Sequence, residues 1–181
     1  FPFHLKGYSL ILCDTTVKHS LASSEYNTRR AECEEGVRIL QKHYPSIQSL
    51  RDATHAQVEA HKAEMTENVY RRCAFMTEEI SRVIKACQLL EEDDATGFGA
   101  LMYETHEGLS KWYEVSCEEL DFLVDITHTN EAVAGARMMG GGFGGCTLNL
   151  VQSDYLEQFE KEMKEAYLSQ FGRELPCYKV V

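Results

Sequence analysis

Six of the twelve residues in GARMMGGGFGGC, residues 135–146, are glycine. A run with so little side-chain bulk takes positive φ readily and lets a ligand or another chain segment approach its backbone amides, which suits a phosphate group or a neighbouring phosphate loop. Gly140, Gly142 and Gly145 formally satisfy G-x-G-x-x-G. A dinucleotide fingerprint, however, follows a strand and opens a helix, whereas CTLNLV here continues as a strand. No Lys-Ser or Lys-Thr follows, so a Walker A loop is excluded. The plainer alternative is a hairpin tip, for which two glycines would serve.

A second candidate is VKHSLASSEYNTRR, residues 17–30, which places four hydroxyl residues, a tyrosine and three cations where a strand gives way to a helix. Binding sites are commonly built at such junctions. The same residues also read as a solvated helix start, with Ser23 or Ser24 as cap and Glu25 favouring the dipole. On spacing alone Arg29 and Arg30 read as surface charges. His19, His106 and His128 are isolated and read as surface or hydrogen-bonded structural residues. Glu118, Glu119 and Asp121 fit an acidic first helical turn and require no catalytic role. The seven histidines show no HExxH or comparable spacing and there is no CxxC pair, which argues against a protein-built zinc site.

These segments need elements to hold them. Residues 8–13 are short, apolar and bounded by Gly7 and Asp14, as in a buried strand. A helix follows with Cys33, Val37, Leu40 and Tyr44 on one face, ending before Pro45. Val69, Cys73, Met76, Ile80, Val83, Cys87 and Leu90 alternate spacings of four and three, giving a helix with one apolar face to the core; a coiled-coil seam is the alternative. Phe98, Leu101, Thr105, Leu109 and Trp112 suggest the next helix, and Ser116 with Glu119 suggests a capping box for another to about Thr127. Residues 132–138 and 146–150 read as strands around the glycines. Ser153 can cap a helix carrying Leu156, Phe159, Met163 and Tyr167, Gly172 can end it, and residues 177–181 form a last strand. This order predicts one α+β domain over residues 1–181, with helices covering one face of a mostly antiparallel sheet.

Composition agrees. Of 181 residues 44% are hydrophobic and 26% charged, as in a soluble globular domain, and no apolar run is long enough to cross a bilayer. Lys and Arg number 18 against 29 Asp and Glu, a net charge of −11 that opposes broad contact with nucleic acid or anionic lipid. Seven widely spaced cysteines read as reduced thiols of a cytoplasmic protein. Both ends look abrupt, which suggests a piece of a longer chain.

Three segments together resemble the galactokinases, of the small-molecule kinase superfamily that also includes homoserine and mevalonate kinases (the GHMP kinases). VKHSLASSEYNTRRAEC is similar to the family's galactose-side segment, FGALMYETHEGLSKWYEVSCEELDFLV to its central helices, and GARMMGGGFGGCTLNLV to its third glycine motif. The likeness runs from about Lys6 to Leu150 and implies the C-terminal half of an enzyme that transfers the γ-phosphoryl of Mg-ATP to the C1 hydroxyl of galactose. The phosphate loop, the catalytic base and the Mg²⁺ ligands are then expected in a separate N-terminal half, leaving this chain inactive alone. By the same resemblance Tyr26 contacts the sugar, Lys18 lies near the nucleotide, and Gly140, Gly141, Gly142, Gly144 and Gly145 pack beside the missing phosphate loop. Met139 stands where many relatives have Thr, so the glycine motif is expected to act through backbone amides. A sugar-binding transcriptional sensor, an N-acetylgalactosamine kinase and a plain interaction domain are the alternatives.

Overall fold

The computed structural model describes residues 5–18 and 22–180, with the side chains of Lys18, Ala22 and Ser23 outside the description. Four antiparallel strands, β1 (Tyr8–Lys18), β2 (Val133–Met139), β3 (Gly144–Gln152) and β4 (Cys177–Lys179), form one sheet in the order β2-β3-β1-β4. Six α-helices among the described residues accompany it: α1 (Ala22–Gln41), α2 (His55–Ala60), α3 (Glu67–Glu91), α4 (Ala95–Glu107), α5 (Glu118–Asp125) and α6 (Leu156–Phe171). The α+β class agrees with the sequence pattern, but β1 runs on to Lys18 where the pattern ended it at Cys13. Of the last predicted strand, residues 177–181, Cys177–Lys179 form β4, while Val181 lies outside the described residues.

Strand alternation divides the core. Ile11 and Cys13 of β1 and Val151 of β3 point into a cluster with Leu123 of α5 and Phe159, Met163 and Tyr167 of α6. Tyr8, Leu10, Leu148 and Leu150, at the opposite parity, join Ala95, Phe98 and Met102 of α4. Helices therefore cover both faces of the sheet, where the sequence order suggested one. Apolar residues on both parities of β1 and β3 demand this, since an uncovered face would leave them in water.

α4 approaches β2 unusually closely because glycines meet there. A Cβ on Gly99 would lie 2.0 Å from the Ala134 carbonyl oxygen, and one on Gly135 would lie 2.3 Å from the Gly99 oxygen. No larger residue fits either place.

The heptad-like stripe of α3 is buried only in its first half. Val69 and Cys73 join a third cluster with Ile39 and Leu40 of α1 and Val58 of α2, whereas Val83 and the adjacent Ile84 are more than half exposed. Two caps differ from expectation. Cys117, not Ser116, is the N-cap of α5, and the Ser153 hydroxyl bonds Ser9 at 2.9 Å while α6 starts later, at Leu156. Gly172 closes α6 in the left-handed conformation, as its position predicted.

Candidate functional site: a clamped glycine hairpin beside the first helix

Residues 140–143 connect β2 to β3, and the ladder begins within the glycine run, at Gly144. Gly142 and Gly144 have φ of +87° and +126°, a region that side chains rarely enter. Space is also lacking there. A Cβ on Gly142 would lie 2.1 Å from the Val115 oxygen, and one on Gly144 would lie 2.5 Å from the Val17 oxygen. Gly140 and Gly141 are exposed, with nothing among the described residues within 4 Å of a Cβ. The hairpin is thus gripped at its base and open at its tip, where its backbone is accessible to another surface.

One side of the grip is the end of β1. Lys18 stands opposite Gly144 in the ladder after a register shift that begins at Asp14. Thr16 adopts φ 57° within this irregularity, its N–H bonded to Asp14 Oδ1 at 2.8 Å, and the Thr15 hydroxyl donates to the Gly145 carbonyl at 2.7 Å. Beneath it, the Tyr167 hydroxyl donates to the Thr15 carbonyl at 2.8 Å; burial pushes that phenol up to about 12.

The other side is the segment after α4, which passes through one π-helical turn, Gly108–Trp112. The Phe143 N–H donates to the Val115 carbonyl at 2.7 Å. Arg29 of α1 holds the same segment, its Nε donating to the Tyr113 carbonyl at 2.7 Å and its Nη2 to the Glu114 carbonyl at 3.2 Å. Behind it lies Arg72, only 1% exposed, which bonds Glu32 of α1 at 3.0 Å and also the Glu114 carboxylate and the Trp112 carbonyl. A buried guanidinium with fewer partners would be strongly unfavourable, so this set fixes the spacing of α1, α3 and the 112–115 segment. The Arg72 hydrogen bond holds the Glu114 carboxyl below its usual range, against a smaller opposing effect of burial.

Tyr26 lies on α1 one turn before Arg29 and is 54% exposed. With Tyr113, Val37, Leu50 and Met76 it lines a cavity of about 430 Å³. Burial, followed by the neighbouring Cys33 and Tyr26, pushes the Tyr113 phenol up. An apolar wall with two phenols suits a ligand that has both a hydrophobic face and hydroxyl groups.

The sequence-selected residues therefore fall into two groups. The glycine run and the backbone of Lys18 are adjacent; Tyr26 stands on α1, which is linked to the hairpin through Arg29 and residues 113–115. The Lys18 side chain and all of His19 lie outside the described residues. Ser23 and Ser24 are not caps, because α1 already begins at Ala22 and includes them. Arg30 is an exposed partner of Glu34, as expected, but the Arg29 side chain is 11% exposed and structural. His106 is also structural: its Nδ1 accepts the Met138 N–H at 3.1 Å, and its Nε2 lies 3.2 Å from Asp121 Oδ1. The linking role of Arg72 and Glu114 was missed, although Arg72, three residues after Val69, falls on the apolar face that Val69 and Cys73 share, where a cation signals a buried partner.

Comparison with known proteins places this architecture. A family model described as "GHMP kinases C terminal" matches residues 83–169, which contain α4, α5, the glycine hairpin and most of α6. A galactokinase of Thermotoga neapolitana is 41% identical over 179 residues, covering 99% of this chain and 49% of that protein. A crystal structure of Lactococcus lactis galactokinase complexed with galactose superposes with a TM-score of 0.92 at 31% identity, over 98% of this chain and 46% of that one. An L. major mevalonate kinase structure, at TM-score 0.56 and 18% identity over 99% of this chain and 44% of that one, shares the fold. The chain spans about half the length of the relatives it matches. It carries the C-terminal domain of the GHMP kinases over residues 83–169 and corresponds to the C-terminal half of a galactokinase-like protein.

Proposed function

We propose that the chain is the C-terminal part of a cytoplasmic galactokinase, which transfers the γ-phosphoryl of ATP to the C1 hydroxyl of galactose. The observation that carries this is the superposition of nearly the whole chain on a galactokinase that holds galactose. In this reading the phenol of Tyr26 bonds a sugar hydroxyl while its ring meets the apolar face of the pyranose. The open tip, Gly140 and Gly141, packs against the phosphate loop of the N-terminal half, and Gly142, Gly144 and Gly145 hold the hairpin in shape for it. Lys18, opposite Gly144, offsets phosphate charge. The hairpin offers backbone and no carboxylate, and the Glu114 carboxylate beside it is engaged by Arg72 and Arg71. In this reading the ligands of the Mg²⁺ that accompanies ATP, and the group that orients the attacking hydroxyl, belong to the other half.

Phosphoryl transfer depends mainly on positioning and charge stabilisation, so this chain alone is assigned no turnover. The test is ADP release with Mg-ATP and galactose, and with N-acetylgalactosamine for comparison, measured on the longer protein and on the 181-residue chain. Galactose-preferring turnover by the longer protein only is the expected result. Turnover by the short chain would overturn the division of labour, preference for N-acetylgalactosamine would change the substrate, and binding of sugar without turnover by the longer protein would replace catalysis with sensing.

A further inference from the structure

Histidine spacing in the sequence offers no metal motif, yet the fold brings three ligating side chains from two connections to one point. His43 lies in the turn after α1, its N–H bonded to the Leu40 carbonyl at 3.0 Å. His61 closes α2, and Glu64 ends the short helical turn Lys62–Glu64 before α3. Glu64 Oε1 lies 2.7 Å from His61 Nδ1 and 2.9 Å from His43 Nε2, and the two imidazoles stack with centroids 3.8 Å apart and planes at 20°. One ligand atom from each residue lies within 4.8 Å of the other two.

We propose that His43, His61 and Glu64 bind one divalent cation of the zinc(II) class, tying the end of α1 to the connection between α2 and α3. Two imidazole nitrogens and a carboxylate oxygen suit such a cation, and with water they complete a four-coordinate shell. Ligands at about 2.0–2.1 Å from a tetrahedral ion are separated by roughly 3.3 Å. The observed separations are shorter by a few tenths of an ångström, and the stacked imidazoles, whose lone pairs lie in nearly parallel planes, must turn about their side-chain bonds for both nitrogens to face one ion. His61 Nε2 lies 3.4 Å from the Tyr44 hydroxyl, a partner for the ring nitrogen that does not face Glu64. Such an outer contact orients a metal-binding imidazole. The backbone beneath is fixed by Leu40 and Val58, both fully buried, so the ligands are presented by rigid turns. His43 and Glu64 are partly exposed, which gives an entry path. The cluster lies roughly 25 Å along α1 from Tyr26, at 1.5 Å per residue, and so is separate from the hairpin region.

Cobalt(II) titration of the metal-free chain, followed by visible absorption, tests the assignment. We expect one equivalent bound, d–d bands without thiolate charge transfer, and displacement by zinc(II). His43→Ala, His61→Ala and Glu64→Gln should each weaken binding by at least about tenfold. His55→Ala, a histidine outside the cluster, should leave it unchanged. Zinc(II) should raise the Tm of the wild type and of His55→Ala but not of His43→Ala or His61→Ala; the shape-conserving Glu64→Gln provides the comparison if a histidine variant folds poorly. No saturable binding, binding retained in the cluster variants, or a thiolate band from the cysteines would overturn the proposal.

Discussion

The amide of Phe143 and the carbonyl of Val115 are joined at 2.7 Å, and this bond attaches the glycine hairpin to the segment that Arg29 and Arg72 anchor. Through it the hairpin and the first helix, which carry the two groups of candidate residues, become parts of one framework.

Gly142→Ala should disrupt that attachment. Its backbone is left-handed, which costs an alanine about 1–2 kcal/mol, and the new methyl would lie 2.1 Å from the Val115 oxygen, so the bond to Phe143 must also give way. Urea unfolding should show a loss of about 2–4 kcal/mol. Gly141→Ala, which adds a methyl in open space at a residue without positive φ, should stay within about 0.5 kcal/mol of wild type. Equal effects would mean that the hairpin is not gripped as described.

Gly99→Ala and Gly135→Ala probe the contact between α4 and β2. Either methyl meets backbone rather than a side chain that could swing away, so each should cost about 2–3 kcal/mol. The double variant should cost clearly less than the sum, because once the helix has moved away the second methyl has room. Additive losses would show that the two glycines do not share one interface.

Arg72→Met removes the buried cation between Glu32 and Glu114 and leaves these carboxylates only their longer pairs, Glu32 with Arg29 at 3.5 Å and Glu114 with Arg71 at 3.2 Å. A loss of about 3 kcal/mol is expected by urea unfolding, at the lower end for a buried pair because the Glu114 side chain is 42% exposed. Adding Glu32→Gln should recover part of it. A second readout is pH. Glu114 titrates lower folded than unfolded, so its contribution is fully present above the unfolded value of about 4.3 and is lost as pH falls through the folded value. The Tm difference between wild type and Glu114→Gln should therefore narrow on acidification below about pH 4.3; a difference that stays constant there would remove Glu114 from the network.

Tyr26→Phe, made in the longer protein, should raise the KM for galactose more than that for ATP. Loss of one neutral hydrogen bond predicts about a threefold to tenfold effect on the sugar. Unchanged kinetics would end the assignment of Tyr26 to the sugar site.

Much of the fold was legible because hydrophobic period reports local geometry directly. The stripe on α3, the strands around the glycines and Gly172 at the end of α6 follow from spacing and from residue-specific backbone preference. Cap positions were less legible: Ser116 and Ser153 satisfy the pattern, but α5 is capped one residue later, at Cys117, and Ser153 already lies inside a 3-10 turn, Ser153–Tyr155, that leads into α6. The exposure of Val83 and Ile84 was hidden for a different reason, since the period of a helix tells which residues share a face and not how far along its length a neighbour extends.

By itself the sequence determined the α+β class, the glycine run as a place of close approach, and the likeness that selected Tyr26 and Lys18. Only the tertiary structure decided that Gly142 and Gly144 are gripped while Gly140 and Gly141 are open, that Arg29 is structural where Arg30 is not, and that His43, His61 and Glu64 converge. Each of these depends on atoms brought together from residues distant in the chain, such as Phe143 and Val115 or Arg72 and Glu114. A sequence fixes the conformational preference of each segment, but the distance between segments is set by how their surfaces pack, and hydrogen bonds and clashes are decided over tenths of an ångström.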